Sequence, residues 1–308
     1  MKKYVIYSIL VGQYDTLTQP LCVDDRFDYI LFSNDFKESN IGVWQIRSIP
    51  IPKDIKPADN KRLSRYPKTH PETMLSEYEC SLYIDANIQI TDTWVYNRVI
   101  ELAEAKVEYA GVSLEEDDCL YEHAYHMAIL GVEHDYNALN QCRALYKRGY
   151  PRHNGMNENN IIFRRHTQRM KEADELCWWW IMNYSFRDQF SYMYVLWEKG
   201  INTKNYFLPK GERARNSSHF NFTFRKDNRV GKQKYIKRGF NEWLRYKCST
   251  LYANNKKKYM NLFVRLCAFP YPCFAQTILG WLIGIWYSPI LIRNIIRNHF
   301  PNNALSKK

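Results

Sequence analysis

Ser81-Leu82-Tyr83-Ile84-Asp85-Ala86-Asn87-Ile88-Gln89-Ile90 joins the pattern of a buried strand to two oxygen ligands at its end. A carboxylate at Asp85 and an amide oxygen at Asn87 suit a hard divalent cation, magnesium or manganese. The other positions of such an ion go to phosphate oxygens and water. Asp-X-Asn also closes strands as a plain Asx-type turn. Basic residues upstream favour the metal reading. Arg62, Arg65 and Lys68 recur at i, i+3 and i+6, so on a helix the two arginines share a face. Pro67 ends that helix and leaves Lys68 and His70 on the loop before the strand. Guanidinium forks and ammonium groups are the usual partners of phosphate oxygens, although a solvated basic helix has the same composition.

A second constellation is Asn183-Tyr184-Ser185-Phe186-Arg187-Asp188-Gln189-Phe190-Ser191. Ser185 can cap a helix with Asp188 at N3 of a capping box. Alternatively, Asp188 stands at a cleft edge as the base that takes a proton from an acceptor hydroxyl. Arg187 beside it and Glu158, in the loop Gly155–Asn160, are candidates for holding acceptor hydroxyls. His219 is a candidate further metal ligand. His123 and His126 make a poor metal pair without a third ligand.

The elements that must position these groups alternate strand and helix. Tyr4–Val11 reads as a buried first strand that stops at Gly12. The loop Gly12-Gln13-Tyr14-Asp15 follows at its C-terminal end, where open α/β sheets bind ligands. Strands are also expected at 29–32, 43–49, 81–85, 109–112 and 160–163. Helices are expected at about 91–105, 121–130, 136–147, 168–182 and 187–198. Such alternation predicts an α/β fold with a mostly parallel sheet.

Taken together these residues resemble a bacterial and plant family of glycosyltransferase-like proteins long catalogued only as a domain of unknown function. The resemblance rests on Val11-Gly12-Gln13-Tyr14-Asp15, Arg62, Arg65-Tyr66-Pro67-Lys68 and Tyr83-Ile84-Asp85-Ala86-Asn87. It continues through Asn160-Ile161-Ile162 with Arg164 and His166, and Arg187-Asp188-Gln189 with Ser191, over roughly residues 3–208. It implies a GT-A-like, Rossmann-type, mostly parallel sheet flanked by helices, a nucleotide-sugar donor and a divalent metal. On that resemblance Gly12 and Tyr14 serve the donor nucleotide, Arg62, Arg65 and Lys68 its diphosphate, and Asp85 with Asn87 the metal. Two features depart from the pattern. His70 is followed by Pro71-Glu72, where relatives place the histidine later, and the metal motif ends on Asn87, one formal charge short of a second aspartate.

Charge divides the chain. Residues 1–224 carry 27 Lys+Arg against 30 Asp+Glu, whereas residues 225–308 carry 17 against 2, so the net +12 belongs to the tail. A slightly acidic body with no nucleic-acid motif speaks against nucleic acid, and a basic tail suits an anionic surface. Residues 225–265 form a basic aromatic linker. Residues 266–308 form an apolar segment that opens with 27 uncharged positions, long enough to span a bilayer. Pro270, Pro272 and Pro289 interrupt it and basic residues flank both sides, which fits a re-entrant or in-plane helical segment better than a single span. A C-terminal bundle helix is the other reading. The start of the chain leads directly into a strand, and the 8 cysteines show no C-x-x-C pair, so a reduced, cytoplasmic body is expected.

The expected function is a metal-assisted glycosyltransferase, peripheral or monotopic on the inner face of the plasma membrane. Its acceptor would be a glycan or lipid-linked glycan, as in capsule, O-antigen or lipooligosaccharide assembly. The alternative is a non-catalytic module that binds anionic glycan or lipid headgroups.

Overall fold

Apolar runs without alternation belong to strands covered on both faces, the signature of a parallel sheet. β1 (Tyr4–Ile9) and β2 (Phe27–Phe32) each expose one residue partially and bury the rest. In this computed structural model, which describes residues 3–12, 14–56, 59–115, 117–129, 133, 135–223, 265, 267 and 278, they form the centre of a seven-stranded sheet. The other strands are β3 (Asn40–Ile41), β4 (Trp44–Arg47), β5 (Cys80–Ile84), β7 (Tyr109–Ser113) and β8 (Asn157–Arg165). Their order is β3-β4-β2-β1-β5-β8-β7. β1 pairs in parallel with β2 and β5, and β2 with β4. β3 runs against β4, and β8 against both β5 and β7. A separate ribbon pairs β6 (Ile88–Ile90) with β9 (Phe220–Phe222), antiparallel.

The helices are α1 (Asn60–Leu63), α2 (Pro71–Met74), α3 (Trp94–Glu104), α4 (Leu120–Ile129), α5 (Asp135–Lys147), α6 (Gln168–Asn183) and α7 (Gln189–Glu198). α3 buries Val95, Val99 and Leu102 at i, i+4 and i+7. These meet Ile6, Leu31, Leu82 and Phe163 in one core. Each fully buried aliphatic of this kind contributes about 1.5–3 kcal/mol. The fold is therefore α/β, a mostly parallel Rossmann-type sheet flanked by helices, the architecture expected from the sequence.

Strand order fixes where a ligand can sit. From β1 the chain builds outward through β2 and β4, then returns to lay β5 on the other side of β1. The C-terminal ends of β1 and β5 thus flank a topological switch point, where open sheets leave a crevice. Asp85 follows β5 directly, and the Gly12 loop begins shortly after β1.

Three details differ from the sequence expectation. The stretch from Asn60 is not one helix: α1 ends at Leu63, and a 3-10 turn at Pro67–Thr69 and the short α2 follow. β8 begins at Asn157, so Glu158 lies on a strand rather than in a loop. β3 and β9, two and three residues long, gave no periodic signal to read.

The chain divides into two compact units, 1–120 with 152–231 and 121–151 with 232–308. The first contains both sheets. In the second, the Tyr121 hydroxyl donates to the Tyr150 carbonyl at 2.7 Å. Of the tail, only Arg265, Cys267 and Ile278 are among the described residues, so the linker and apolar-segment assignments lie outside them. Among the described residues no helix is long and apolar enough to cross a membrane. Among the described residues, Cys22, Cys80, Cys119, Cys142, Cys177 and Cys267 form no disulfide.

Candidate active site

Beyond the last residue of β5 the chain turns at Asp85, whose amide donates to the Asn160 carbonyl at 2.9 Å. Its side chain is half-buried. Strand alternation puts Tyr83 and Asp85 on one face, and the Tyr83 hydroxyl donates to Asp85 Oδ1 at 2.6 Å. The Tyr83 ring also carries the Lys68 ammonium 4.5 Å from its centroid.

Lys68 is the hub. Its Nζ donates to the Asn159 carbonyl at 2.5 Å and lies 2.8 Å from Asp188 Oδ2. Arg65 Nε stands 3.3 Å from Asp188 Oδ1, and Asn159 Nδ2 donates to Asp188 Oδ2 at 3.2 Å. Asp188 therefore faces two cations and an amide while its side chain is 7% exposed. It occupies the N-cap of α7, yet its side chain caps no backbone N–H. This removes the capping-box reading, because the carboxylate is turned toward Lys68 and Arg65 instead. Ser185 Oγ accepts from the Arg187 amide, in a local turn.

Burial alone would raise both carboxyls, but their neighbours separate them. At Asp188, Lys68, Arg65 and the hydrogen bonds from Lys68 and Asn159 overcome burial and hold the carboxyl well below its usual range. At Asp85 burial prevails over Lys68, the Tyr83 hydrogen bond and Arg65, and the carboxyl is raised. Arg65 is held in its charged form against burial by Asp188, with Tyr83, Asp85 and Tyr14 also contributing. These interactions place Tyr14, Tyr83, Asp85, Arg65, Lys68 and Asp188 in one electrostatic neighbourhood. A carboxylate held as low as Asp188 is a poor proton acceptor near neutral pH.

Gly12 belongs to the same rim. Its φ is +69°, and a Cβ there would lie 2.5 Å from Asn60 Nδ2, so the loop after β1 is seated directly on α1. Tyr14 stands 65% exposed beside this loop.

The other sequence candidates are engaged by partners of their own. Arg62 does not share a face with Arg65. Its Nη1 pairs with Asp59 Oδ2 at 2.9 Å and its Nε donates to the Ile181 carbonyl at 3.1 Å. Asp59 caps α1 and draws the guanidinium back over the first turn. His219 is not beside Asp85. Its Nδ1 is 2.8 Å from Asp92 Oδ2 and its ring stacks on Trp94 at 4.1 Å. Asn87 exchanges main-chain and side-chain contacts with Thr223, whereas the His219 carbonyl receives the Thr91 amide. Four residues of strand, roughly 13 Å, separate those positions along the ribbon. Glu158 makes a bidentate pair with Arg213 at 3.0 and 3.1 Å. The Arg187 guanidinium donates to Gln189 Oε1 at 2.9 Å and lies over the Phe190 ring. His70 stacks on Tyr66 at 4.2 Å and meets Trp178 edge-on, a packing role.

The oxygens left for a metal are Asp85 Oδ2 and Asn87 Oδ1, which accept no hydrogen bond among the described residues, since Asn87 spends only its Nδ2 on the Thr223 carbonyl. One charged and one neutral oxygen, two residues apart across a turn, fit a hard divalent ion that takes its remaining ligands from water and phosphate. Two contributors escaped the sequence reading. Tyr83 was legible as the i−2 neighbour of Asp85. Asn159 carried only the weak signal of several asparagines opening a strand.

No protein-family model matches the sequence, and no curated protein matches it. Among solved structures the chain is similar to the WbbM bifunctional glycosyltransferase, with 10% identity and a TM-score of 0.40, covering 68% of this chain and 39% of that one. It is similar to core-mannan synthase A (CmsA/Ktr4) of Aspergillus fumigatus in a manganese- and GDP-form, with 8% identity and a TM-score of 0.37, covering 64% and 70%. It is also similar to the mannosyltransferase Ktr4p of S. cerevisiae, with 9% identity and a TM-score of 0.32, covering 62% of each chain. The chain thus spans about two fifths of the length of WbbM and under two thirds of Ktr4p.

Proposed function

We propose that this chain is a glycosyltransferase that moves a sugar from a nucleotide-sugar donor to a glycan or lipid-linked acceptor, assisted by manganese or magnesium. The observation that carries the reading is the gathering of Asp85, Tyr83, Lys68, Arg65 and Asp188 at the switch point between β1 and β5. Two carboxylates and two cations leave that set electrically balanced. A nucleoside diphosphate brings two or more negative charges, which such a set cannot absorb alone in a half-buried crevice. A divalent cation at Asp85 and Asn87 would supply that compensation and neutralise the departing diphosphate.

The protein's own groups divide the remaining work. Lys68 and Arg65 reach diphosphate oxygens, and Asp188 holds the two cations in place while the site is empty. Asp188 thereby serves as a charge organiser and substrate-orienting group rather than as a strong base. Gly12 lets the β1 loop approach the donor, and Tyr14 offers an exposed ring for the nucleotide. The basic tail supports placement of the body on the anionic inner face of the plasma membrane, where lipid-linked glycans such as capsule or O-antigen intermediates are extended.

The test is release of free nucleoside diphosphate from a panel of UDP- and GDP-sugars, with and without manganese. Turnover that requires manganese and vanishes in Asp85→Ala supports the assignment. Absence of both turnover and binding for every donor leaves the non-catalytic membrane-module reading in its place.

A further inference from the structure

Lys68 is held from two sides. Its ammonium meets the Asn159 carbonyl and Asp188, and its main-chain carbonyl accepts from Arg164 Nη2 at 2.8 Å. Arg164 comes from β8 and is fully buried. Its Nη1 donates to the Tyr7 hydroxyl on β1 at 2.8 Å, and its Nε donates to the Tyr192 hydroxyl on α7 at 2.5 Å. Tyr192 passes the contact on to Asp174 Oδ1 of α6 at 2.7 Å, and Arg164 Nε lies 3.2 Å from Asp174 Oδ2. One guanidinium therefore ties two strands and two helices to the turn that carries Lys68.

A buried ion pair is an expensive way to gain stability, since apolar residues of like volume serve as well or better. What the fork adds is geometry. Its donors lie in a fixed plane, so they set the height and orientation of the Lys68 carbonyl relative to the sheet. Glu72, on α2, completes the arrangement. Both its oxygens are buried, and its carboxyl faces Asp174. Burial and Asp174 push it up to about 9, so it stays protonated and donates to Asp174 without adding charge.

We propose that Arg164 is the positioning residue of this site: it fixes the Lys68 main chain from beneath, so that the ammonium stands between the Asn159 carbonyl, Asp188 and an incoming diphosphate. Its part in diphosphate binding rests on the function proposed above. Its part in placing Lys68 does not.

The experiment uses the full chain with UDP and GDP as probes in the presence of manganese, read by calorimetry alongside thermal melts. Arg164→Lys keeps the charge against Asp174 and removes the fork. Tyr192→Phe is the milder variant and removes one hydroxyl. Lys68→Met is expected to weaken nucleotide affinity by roughly 10–100-fold, the loss of one charge-assisted hydrogen bond. Arg164→Lys is expected to match it, and the double variant to be no worse than Lys68→Met alone. Tyr192→Phe is expected to lose roughly 3–10-fold. Variants that melt earlier yet bind as the wild type does, or losses that multiply in the double variant, overturn the proposal. If the wild type binds neither nucleotide, the function above fails by itself. Crystal structures of the two variants then decide: Lys68 Nζ displaced from Asp188 supports the positioning role, and Lys68 Nζ still 2.8 Å from Asp188 ends it.

Discussion

Asp85 and Asp188 are carboxylates that share Lys68 and Arg65 as neighbours, yet those surroundings give them opposite character. Asp85, raised by burial and half-exposed, has a free oxygen to offer a cation, and Asp188, lowered by two cations, has none to spare. Asp85→Asn is expected to cut manganese-dependent donor turnover about 100-fold or more, because the charged ligand goes while the shape stays. A steady-state assay across manganese concentrations measures it. Glu72 gives a second residue-level test through stability. Its folded-state value of about 9 lies far above the unfolded carboxyl, so between those values unfolding releases a proton and stability falls as pH rises. Glu72→Gln keeps a donor toward Asp174 and has no proton to lose. It should be more stable than the wild type at pH 8, by at least about 1 kcal/mol, with the advantage gone near pH 4. Urea denaturation at the two pH values reads this directly. For Asp188 the sign is reversed: its contribution is present above the ordinary carboxylate range and lost as pH falls below about 4. Asp188→Asn should flatten that acid limb. Asp85 with Asn87, and the cation cluster, stood out in the sequence because their spacing is local. That Lys68 and Arg65 would converge on Asp188, 120 or more positions later, is a tertiary fact.

At the scale of elements, the segment after Asn60 explains most of what the sequence concealed. An i, i+3, i+6 spacing presumes an unbroken helix. Asp59 caps α1 and pairs with Arg62, and Pro67 restarts the chain as a 3-10 turn. The break separates Arg62, which reaches the C-terminal carbonyls of α6, from Arg65 and Lys68, which reach Asp188. The strands were easier to read: continuous apolar runs survive any tertiary context that buries both faces, as β1, β2 and β5 demonstrate. Gly12→Ala tests the contact between the β1 loop and α1. A Cβ would meet Asn60 Nδ2 at 2.5 Å in a backbone held at φ +69°, so a loss of about 1 kcal/mol or more is expected in thermal or urea unfolding. Pairing it with Asn60→Ala should return part of that loss, leaving the cost of the backbone angle alone.

For the whole molecule, the separation of charge is the dominant fact. A body of 27 cations against 30 acids has no reason to seek an anionic surface, and a tail of 17 against 2 does. Replacing Lys256, Lys257 and Lys258 by glutamine should weaken partition of the full chain onto vesicles containing anionic lipid roughly 100-fold, at about 1 kcal/mol per lysine. Flotation at two salt concentrations checks it, and unchanged flotation would remove the electrostatic argument for membrane attachment.

The reversed direction of β8 bears on how such a scaffold diversifies. In a sheet of uniformly parallel strands, a rim is furnished only by segments that leave strands. Because β8 runs against β5, it starts at this rim instead, and Asn159 and Asn160 reach Lys68 and Asp85 from an entering segment. Insertions or deletions at 152–156, just ahead of it, would therefore reshape one side of this rim while leaving the Gly12 and Asp85 turns untouched. The two sides of the rim would then be free to change separately.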